Sequence, residues 1–519
     1  MRMRKFLVGI CSLVMLSGGM LNAFAAAPPD WSQMPKNFDF YRGDLSENYV
    51  VDVTDIVIMQ KYLSGKLKFS ERYFQIADMN QDDAVNIYDF ILLKKAVLSG
   101  EWDTALKESE SDNFITPSIT PVLHNLASQG TGNLVIFYVD FPECQHEFIP
   151  DTEQLNQIAF GEQDASNPNY PFESLNAFFE RSSKGAMHLT GQSFYYTAKN
   201  EMSYYEYDKD ALAAECYAAF DEEIDFSQFD GDGDGKIDAT LINVPMSDGG
   251  DEWNGPWWSK SGSSGYEEFV ADGMKIGHLI TGNTQLTSIE EYNMFNATYQ
   301  HEVAHCFGLP DYYLYYSEDY NGFHGEEETA ALELMDDSVR DLCCFSKLQL
   351  GWYKENQVSV YDQNQGGEQV FTLNNAQTEN GNCLILPCGE LDYYGEYLIL
   401  EYITPEGNNL NSVYPWLTVG NGIRAYHVKA DLYDNGWWTW YKYASGSEFK
   451  NYNDDGIRLI RLVNDAEGGY VFITGDVLDG NISGWHWYAE DESESIETGY
   501  TVTVGELKDG AYTITVNKQ

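Results

Sequence analysis

A chain that contains His301-Glu302-Val303-Ala304-His305, continued by Cys306-Phe307-Gly308-Leu309-Pro310-Asp311, has little freedom in how it folds there. Residues four apart on a helix share a face, so the spacing predicts a helix that turns His301 and His305 toward one point. Two imidazoles so placed are a transition-metal pair, and Glu302 beside them can take a proton from a metal-bound water. Gly308 lets the chain turn after the helix, and Asp311 can then return an oxygen ligand to the same ion. The expected set is zinc held by His301, His305 and Asp311, with Glu302 as general base. Three protein ligands leave one position open, as a catalytic zinc requires and a structural one does not. A surface helix with two histidines by chance is the alternative. In a chain with only 9 His, the continuation through Gly308 to Asp311 weighs against it.

At 519 residues the chain exceeds one ordinary core, and roughly two to four domains are expected. A formal net charge of −52 argues against nucleic acid as a partner and makes calcium a natural counter-ion for clustered Asp. An acidic, solvated surface would also keep a secreted protein soluble. Residues 1–27 read as a signal peptide: Met1-Arg2-Met3-Arg4-Lys5 is basic, Phe6 to Leu21 is a short apolar run, and Ala23-Phe24-Ala25 offers a small-x-small cleavage site. No later segment has the apolar length of a membrane span, so a secreted, extracellular mature protein is expected. Of 8 Cys, Cys11 leaves with the signal, and an odd number remains, so at least one is unpaired within the chain. Cys383 and Cys388 could close a small loop, and Cys306 reads as a packed apolar residue.

Residues 42–100 contain a duplication. The first copy runs from Asp44 through Ser46, Asn48, Val50 and Asp52 to Asp55; the second runs from Asp78 through Asn80, Asp82, Ala84 and Asn86 to Asp89. Oxygen side chains recur at loop positions 1, 3, 5, 9 and 12, and Val50 and Ala84 would offer a carbonyl at position 7, the spacing that wraps one calcium ion. An apolar helical run follows each loop, Ile56 to Leu63 and Phe90 to Leu98. The pair resembles a type I-like dockerin, the calcium-dependent module that plugs secreted enzymes into cohesin domains of a cellulosome scaffoldin. Tyr49 and Asp83 stand where such loops usually carry Gly. The resemblance assigns cohesin choice to Val53-Thr54 and Ile87-Tyr88, at loop positions 10 and 11. An EF-hand-like pair with only a stabilising role is the alternative.

Residues 101–130 are polar and aperiodic and read as a linker. Leu134 to Val139 has strand character and opens the next domain, Phe172 to Phe179 and Ala211 to Phe220 look helical, and Leu279-Ile280 fits a strand near the site. Asp230, Asp232, Asp234, Lys236 (through its carbonyl) and Asp238 form a third calcium-type loop. Leu241 stands where the closing acid would be, and a solvated Asp-Gly turn is the alternative. In metzincin-type zinc peptidases a methionine turn lies under the metal, and by resemblance to them Met335 would be its counterpart. Ser346 to Trp352 reads as the last helix of this domain with Gly351 as its stop. From residue 355 to 519 short alternating runs predict an all-β sandwich region, among them Gln369–Leu373, Glu396–Tyr402, Ile423–Val428, Ile457–Val463, Thr501–Val504 and Tyr512–Val516. Trp437, Trp438, Trp440 and Tyr441 could form a sugar or peptide platform, though packing explains them more simply. His427 reads as a structural histidine.

The motif stretch, Leu134 to Phe141, the Met335 segment and Lys347 to Trp352 together resemble the immune inhibitor A-like family of secreted zinc metallopeptidases. That likeness implies an α/β, metzincin-like zincin domain over residues 131–354 and a β-rich C-terminal extension, so that with the α-helical calcium-binding dockerin the expected chain is multidomain α+β. It implies a zinc endopeptidase acting on protein or peptide, and supports Asp311 as third ligand where metzincins more often use His. A Glu further along, Glu326 or Glu333, is the rival third ligand. Two other classes fit parts of the sequence: a binding or adhesion protein built on the dockerin and an aromatic β-domain, and a zinc hydrolase specialised for glycoproteins. The intact Glu302 favours an enzyme over the first.

Overall fold

The structure, a computed structural model, describes residues 43, 45, 51, 53–64, 66–69, 71–79, 85–99, 115, 126–231, 233–246, 256–266, 268–284, 289–313, 332–336, 340–378, 380–410, 420–434, 439–444, 457–464, 469–489 and 495–519. The chain divides into two compact units, residues 1–112 and 113–519. The signal-peptide reading lies outside the described residues, as do Trp437 and Trp438.

In the first unit the two predicted apolar runs are helices, α1 (Val53–Leu63) and α3 (Ile87–Ser99), with a short α2 (Glu71–Ala77) between them. Leu45, Val51, Met59, Ile76, Ala77, Phe90 and Leu93 form its core. A core this small rarely holds a fold alone and normally needs a metal or other staple. The acid that would close each loop is placed accordingly. Asp55 and Asp89 are fully buried in the first turns of α1 and α3, and Asp89 accepts the backbone N–H groups of Met79 (2.9 Å) and Asn86 (2.8 Å). Asp78 is buried, whereas Val53 and Thr54 are exposed. Asp44, Ser46, Asn48, Val50, Asp52, Asn80, Asp82 and Ala84 lie outside the described residues, and for Ile87 and Tyr88 only the backbone is described.

The second unit opens with β1 (Gly130–Asp140), α4 (Thr152–Phe160), α5 (Leu175–Ser183), β2 (Met187–Thr197), α6 (Lys209–Phe220), β3 (Lys236–Pro245), β4 (Lys260–Ser263), β5 (Lys275–Thr284) and α7 (Ile289–Cys306). The five strands form one sheet in the order β2-β1-β3-β5-β4. Strands β2, β1, β3 and β5 run parallel, and the edge strand β4 runs antiparallel to β5. Strand β1 is buried on both faces, as a central parallel strand must be. Leu134, Ile136 and Tyr138 face a core that contains α4, α5 and the motif helix α7; Val135, Phe137 and Val139 face a second core with α6.

Next come α8 (Cys344–Gln349), β6 (Val358–Val360), β7 (Gly367–Asn374), β8 (Cys383–Pro387), β9 (Glu396–Ile403), β10 (Gly422–Lys429), β11 (Leu432–Asp434), β12 (Thr439–Tyr441), β13 (Ile460–Leu462), β14 (Val477–Leu478), β15 (His486–Tyr488), β16 (Ser495–Glu497), β17 (Tyr500–Lys508) and β18 (Ala511–Lys518). Gly351, with φ of 72°, ends the turn after α8, as expected of a helix stop. One sheet has the order β13-β10-β9-β8-β6 and another the order β14-β17-β18-β7. They share a core of alternate residues, Leu384, Leu398 and Ile423 from the first and Leu373, Val502 and Ile514 from the second. The other face of the five-stranded sheet, with Ile385, Ile399 and Tyr426, packs into the same core as α7 and Phe345. That sheet is therefore a middle layer, and the core runs on across residue 354.

Two stretches of the polar segment 101–130 belong to this unit. Ile115 donates its N–H to the Tyr353 carbonyl, and Leu126 is fully buried in the α7 core. Buried Leu and Ile outweigh a polar average when their neighbours are apolar. All seven described cysteines are free, Cys383 and Cys388 included. Trp440 packs against the α7 core and Tyr441 lies within it. His427 is fully buried with its Nε2 2.9 Å from a Glu396 carboxylate oxygen, and burial lowers its pKa.

Candidate metal centre

The motif residues end α7, a helix of 18 residues. Gly308 follows with φ of 98°, a left-handed conformation in which a side chain would be strained, and it reverses the chain so that Asp311 returns to the helix. The result is convergence: ligand atoms of His301, His305 and Asp311 lie within 4.8 Å of one another. An Asp311 oxygen is 2.9 Å from His301 Nε2 and 3.3 Å from His305 Nε2. Ligands about 2.0–2.1 Å from a tetrahedral zinc stand roughly 3.3 Å apart, so the donor set has the right span.

Each imidazole is also oriented from behind. His301 Nδ1–H donates to the Leu334 carbonyl at 2.8 Å, and His305 Nδ1–H donates to the Leu309 carbonyl at 2.7 Å. A carbonyl only accepts, so each Nδ1 carries a proton, and each ring once neutral has its lone pair at Nε2. That is the tautomer a metal ligand needs, fixed by backbone groups.

Burial shapes the charge states. His301, Glu302 and Asp311 are buried, and His305 is half-buried. Burial alone would push His301 down, but the hydrogen bond and charge of Asp311 outweigh it and raise its pKa to about 9. His305 is raised in the same way, against its burial, by the Asp311 carboxylate. Asp311, despite burial, is held far below the usual carboxylate range by the two imidazoles. Three donors that share protons in this way form a group whose protons a divalent cation could replace. Burial raises the pKa of Glu302, against the pull of the two histidines.

The segment from Leu332 to Asp336 passes beneath these residues. Met335 is fully buried, and its carbonyl accepts the Tyr312 N–H at 2.9 Å, which ties it to the residue after Asp311. Glu333 is fully buried too, and its carboxylate is used locally. It accepts from Ser346 Oγ (2.6 Å), Cys343 N (3.2 Å) and Met335 N. The rival ligand Glu333 thus has its oxygens turned to α8 and its own turn, and Glu326 lies outside the described residues. Ser261 on β4 donates to the Glu302 carbonyl at 2.9 Å and stands 2.7 Å from His278 Nε2, which links the edge strand to the motif helix. Burial pushes His278 down to about 4.

The Asp-Gly loop before β3 behaves differently. Asp230 accepts three N–H groups of its own loop, from Gly233 (2.8 Å), Asp234 (3.1 Å) and Gly235 (3.0 Å). Asp238 accepts from Gly231 N and from the N and Nδ2 of Asn133, and Asp234 caps Lys236 N at 2.8 Å. Asp232 lies outside the described residues. Among the described residues, only His301, His305 and Asp311 form a convergent group of three metal-binding side chains.

Sequence spacing found the three donors and Glu302. It missed the Leu334 and Leu309 carbonyls, Ser261 and His278, and it offered Glu333 as a rival ligand rather than as the acceptor of Ser346 and the Met335 N–H. The acid two residues before Met335 in an otherwise apolar run was the one available hint.

Residues 42–98 match the model of the Dockerin type I domain. That segment is a dockerin, a calcium-binding module whose partner is a cohesin, found in extracellular cellulosome components. No curated protein matches the chain. No helix among the described residues is long and apolar enough to cross a membrane.

Proposed function

We propose that the second unit is a zinc-dependent endopeptidase of the immune inhibitor A-like, metzincin-like kind, carried on a cellulosome scaffold by the dockerin. The observation that carries this reading is the convergence of His301, His305 and Asp311 beside a buried Glu302. Zinc, when bound, supplies a Lewis acid that polarises a scissile carbonyl and makes water nucleophilic near neutral pH. His301, His305 and Asp311 hold it, and the Leu334 and Leu309 carbonyls keep both imidazoles in the ligating tautomer. Glu302 takes the proton of the attacking water and passes it to the leaving amine, a base and then an acid; its raised pKa suits the second role. Of the two described tyrosines that follow Asp311, Tyr312 is turned to Ser346 at 2.8 Å. The ring of Tyr313 lies 6.3 Å from that of His301, and a tyrosine from the segment after Asp311 is proposed to assist the developing oxyanion.

The dockerin supplies location rather than chemistry. Calcium in the two loops orders α1 and α3, and the exposed Val53-Thr54 pair, with Ile87-Tyr88 of the second copy, is proposed to select the cohesin. The acids at Asp230, Asp234 and Asp238 are proposed to hold a structural calcium only together with Asp232.

The test is digestion of casein and of a glycopeptide panel by the full chain, with new amino termini as the readout. Cleavage of both, lost with a zinc chelator, is expected. Cleavage confined to the glycopeptides would narrow the substrate to glycoproteins. No new termini from either would overturn the peptidase reading and leave a binding protein.

A further inference from the structure

The turn that orients His301 is held from the C-terminal sheet. Arg424 on β10, 1% exposed, donates from its guanidinium to the Leu332 carbonyl at 3.1 Å. Two residues on, the Leu334 carbonyl receives His301 Nδ1–H, and the Leu334 N–H donates to the Asp341 carbonyl at 3.3 Å. Arg424 is itself fixed. It stands opposite Glu401 of β9 in the antiparallel register, and Glu401 is buried and accepts from Tyr426 at 2.9 Å. Lys347 of α8 bonds Asp341 at 2.7 Å, both side chains buried. The Leu332–Asp336 turn therefore sits between the zinc ligands and a buried charge set drawn from α8, β9 and β10.

We propose that Arg424 is a positioning residue of the metal centre, so that the C-terminal five-stranded sheet sets metal affinity through the Leu332–Leu334 backbone. The argument is geometric. A ring nitrogen is aimed by the acceptor behind it, and that acceptor is a backbone carbonyl in a turn. A turn is only as rigid as its anchors, and a buried guanidinium opposite a buried carboxylate on the neighbouring strand is a restrained one. The inference rests on the zinc reading of the site, and goes beyond it by assigning a role to residues past 354.

The test uses the full chain with three variants: Arg424→Lys, the double variant Arg424→Met with Glu401→Gln, which removes both charges together, and Val516→Ala in the four-stranded sheet. The last opens a cavity far in sequence from the turn and serves as the control for lost stability. Zinc Kd is measured by competition with a chromogenic chelator, and hydrogen exchange of the Leu334 and Met335 amides is followed in the metal-free proteins. Both Arg424 variants are expected to raise zinc Kd about tenfold or more and to speed exchange at those amides. Val516→Ala should lower the unfolding temperature while its zinc Kd stays within about twofold of the parent. Unchanged Kd and exchange in the Arg424 variants, or an equal loss in Val516→Ala, would overturn the assignment. If the parent chain takes up no zinc, the zinc reading fails, and the clamp is judged on amide exchange alone.

Discussion

In the loop after α7, Asp311 turns its carboxylate to two imidazoles; in the loop before β3, Asp230 turns its carboxylate back on three N–H groups of its own backbone. Both are acids beside glycines, and sequence spacing assigns both to metals. The first follows the end of a helix, and its ligand atom lies within 4.8 Å of those of His301 and His305. The second belongs to a glycine-rich turn whose first acid accepts N–H groups of its own loop. The difference teaches that ligand-type residues at ligand-type spacing can be turned to one another, as at Asp311, or to their own loop backbone, as at Asp230.

That contrast can be broken or sharpened by experiment. The largest effect should come from Glu302→Ala, which is expected to lower kcat on casein by about 100-fold to 10,000-fold while zinc stays bound, as read by metal analysis. Unchanged cleavage would remove Glu302 from the chemistry. Asp311→Ala should raise zinc Kd at least about 100-fold, because it deletes one of three protein ligands; a Kd equal to the parent's would transfer the third ligand elsewhere.

The pH dependence has a definite sign. In the metal-free protein the raised pKa of His301, about 9, makes its pairing with Asp311 fully stabilising below about 6.5 and lost as pH rises through 9. The lowered pKa of Asp311 adds stability above about 4 that is lost in acid. Zinc must displace the shared proton, so its Kd should fall about tenfold per pH unit between about 6.5 and 9 when measured by competition titration. A flat profile would mean that the site is not protonated as described. The smallest effect belongs to Asp230→Ala. It should cost about 1–2 kcal/mol in thermal unfolding through lost turn hydrogen bonds, and leave zinc Kd unchanged. A cost that appears only with calcium present would show that the loop binds the ion.

Much of this arrangement could be read from residues close in sequence. Period 3.6 placed α1, α3 and α6, alternation placed β9, β10, β17 and β18, and the four-residue spacing of His301 and His305 placed the metal pair. What periodicity could not supply was contact across long separations. His301 meets the Leu334 carbonyl 33 residues away, and Leu332 meets Arg424 at a separation of 92. Segment averages failed for the same reason: Leu126 sits in a polar run yet is fully buried, because α7 is its neighbour in space. The expected strand Ile457–Val463 shortens to Ile460–Leu462, in register with Tyr426–Val428 of β10.

The central claim, that His301, His305 and Asp311 hold a zinc ion that serves peptide hydrolysis, is tested most directly by reconstitution. The full chain is stripped with a zinc chelator, dialysed, and titrated with zinc while casein cleavage is recorded. The account predicts no cleavage in the stripped protein and full recovery at one zinc per chain. Cleavage that survives stripping, or that does not return with zinc although the metal binds, would contradict it.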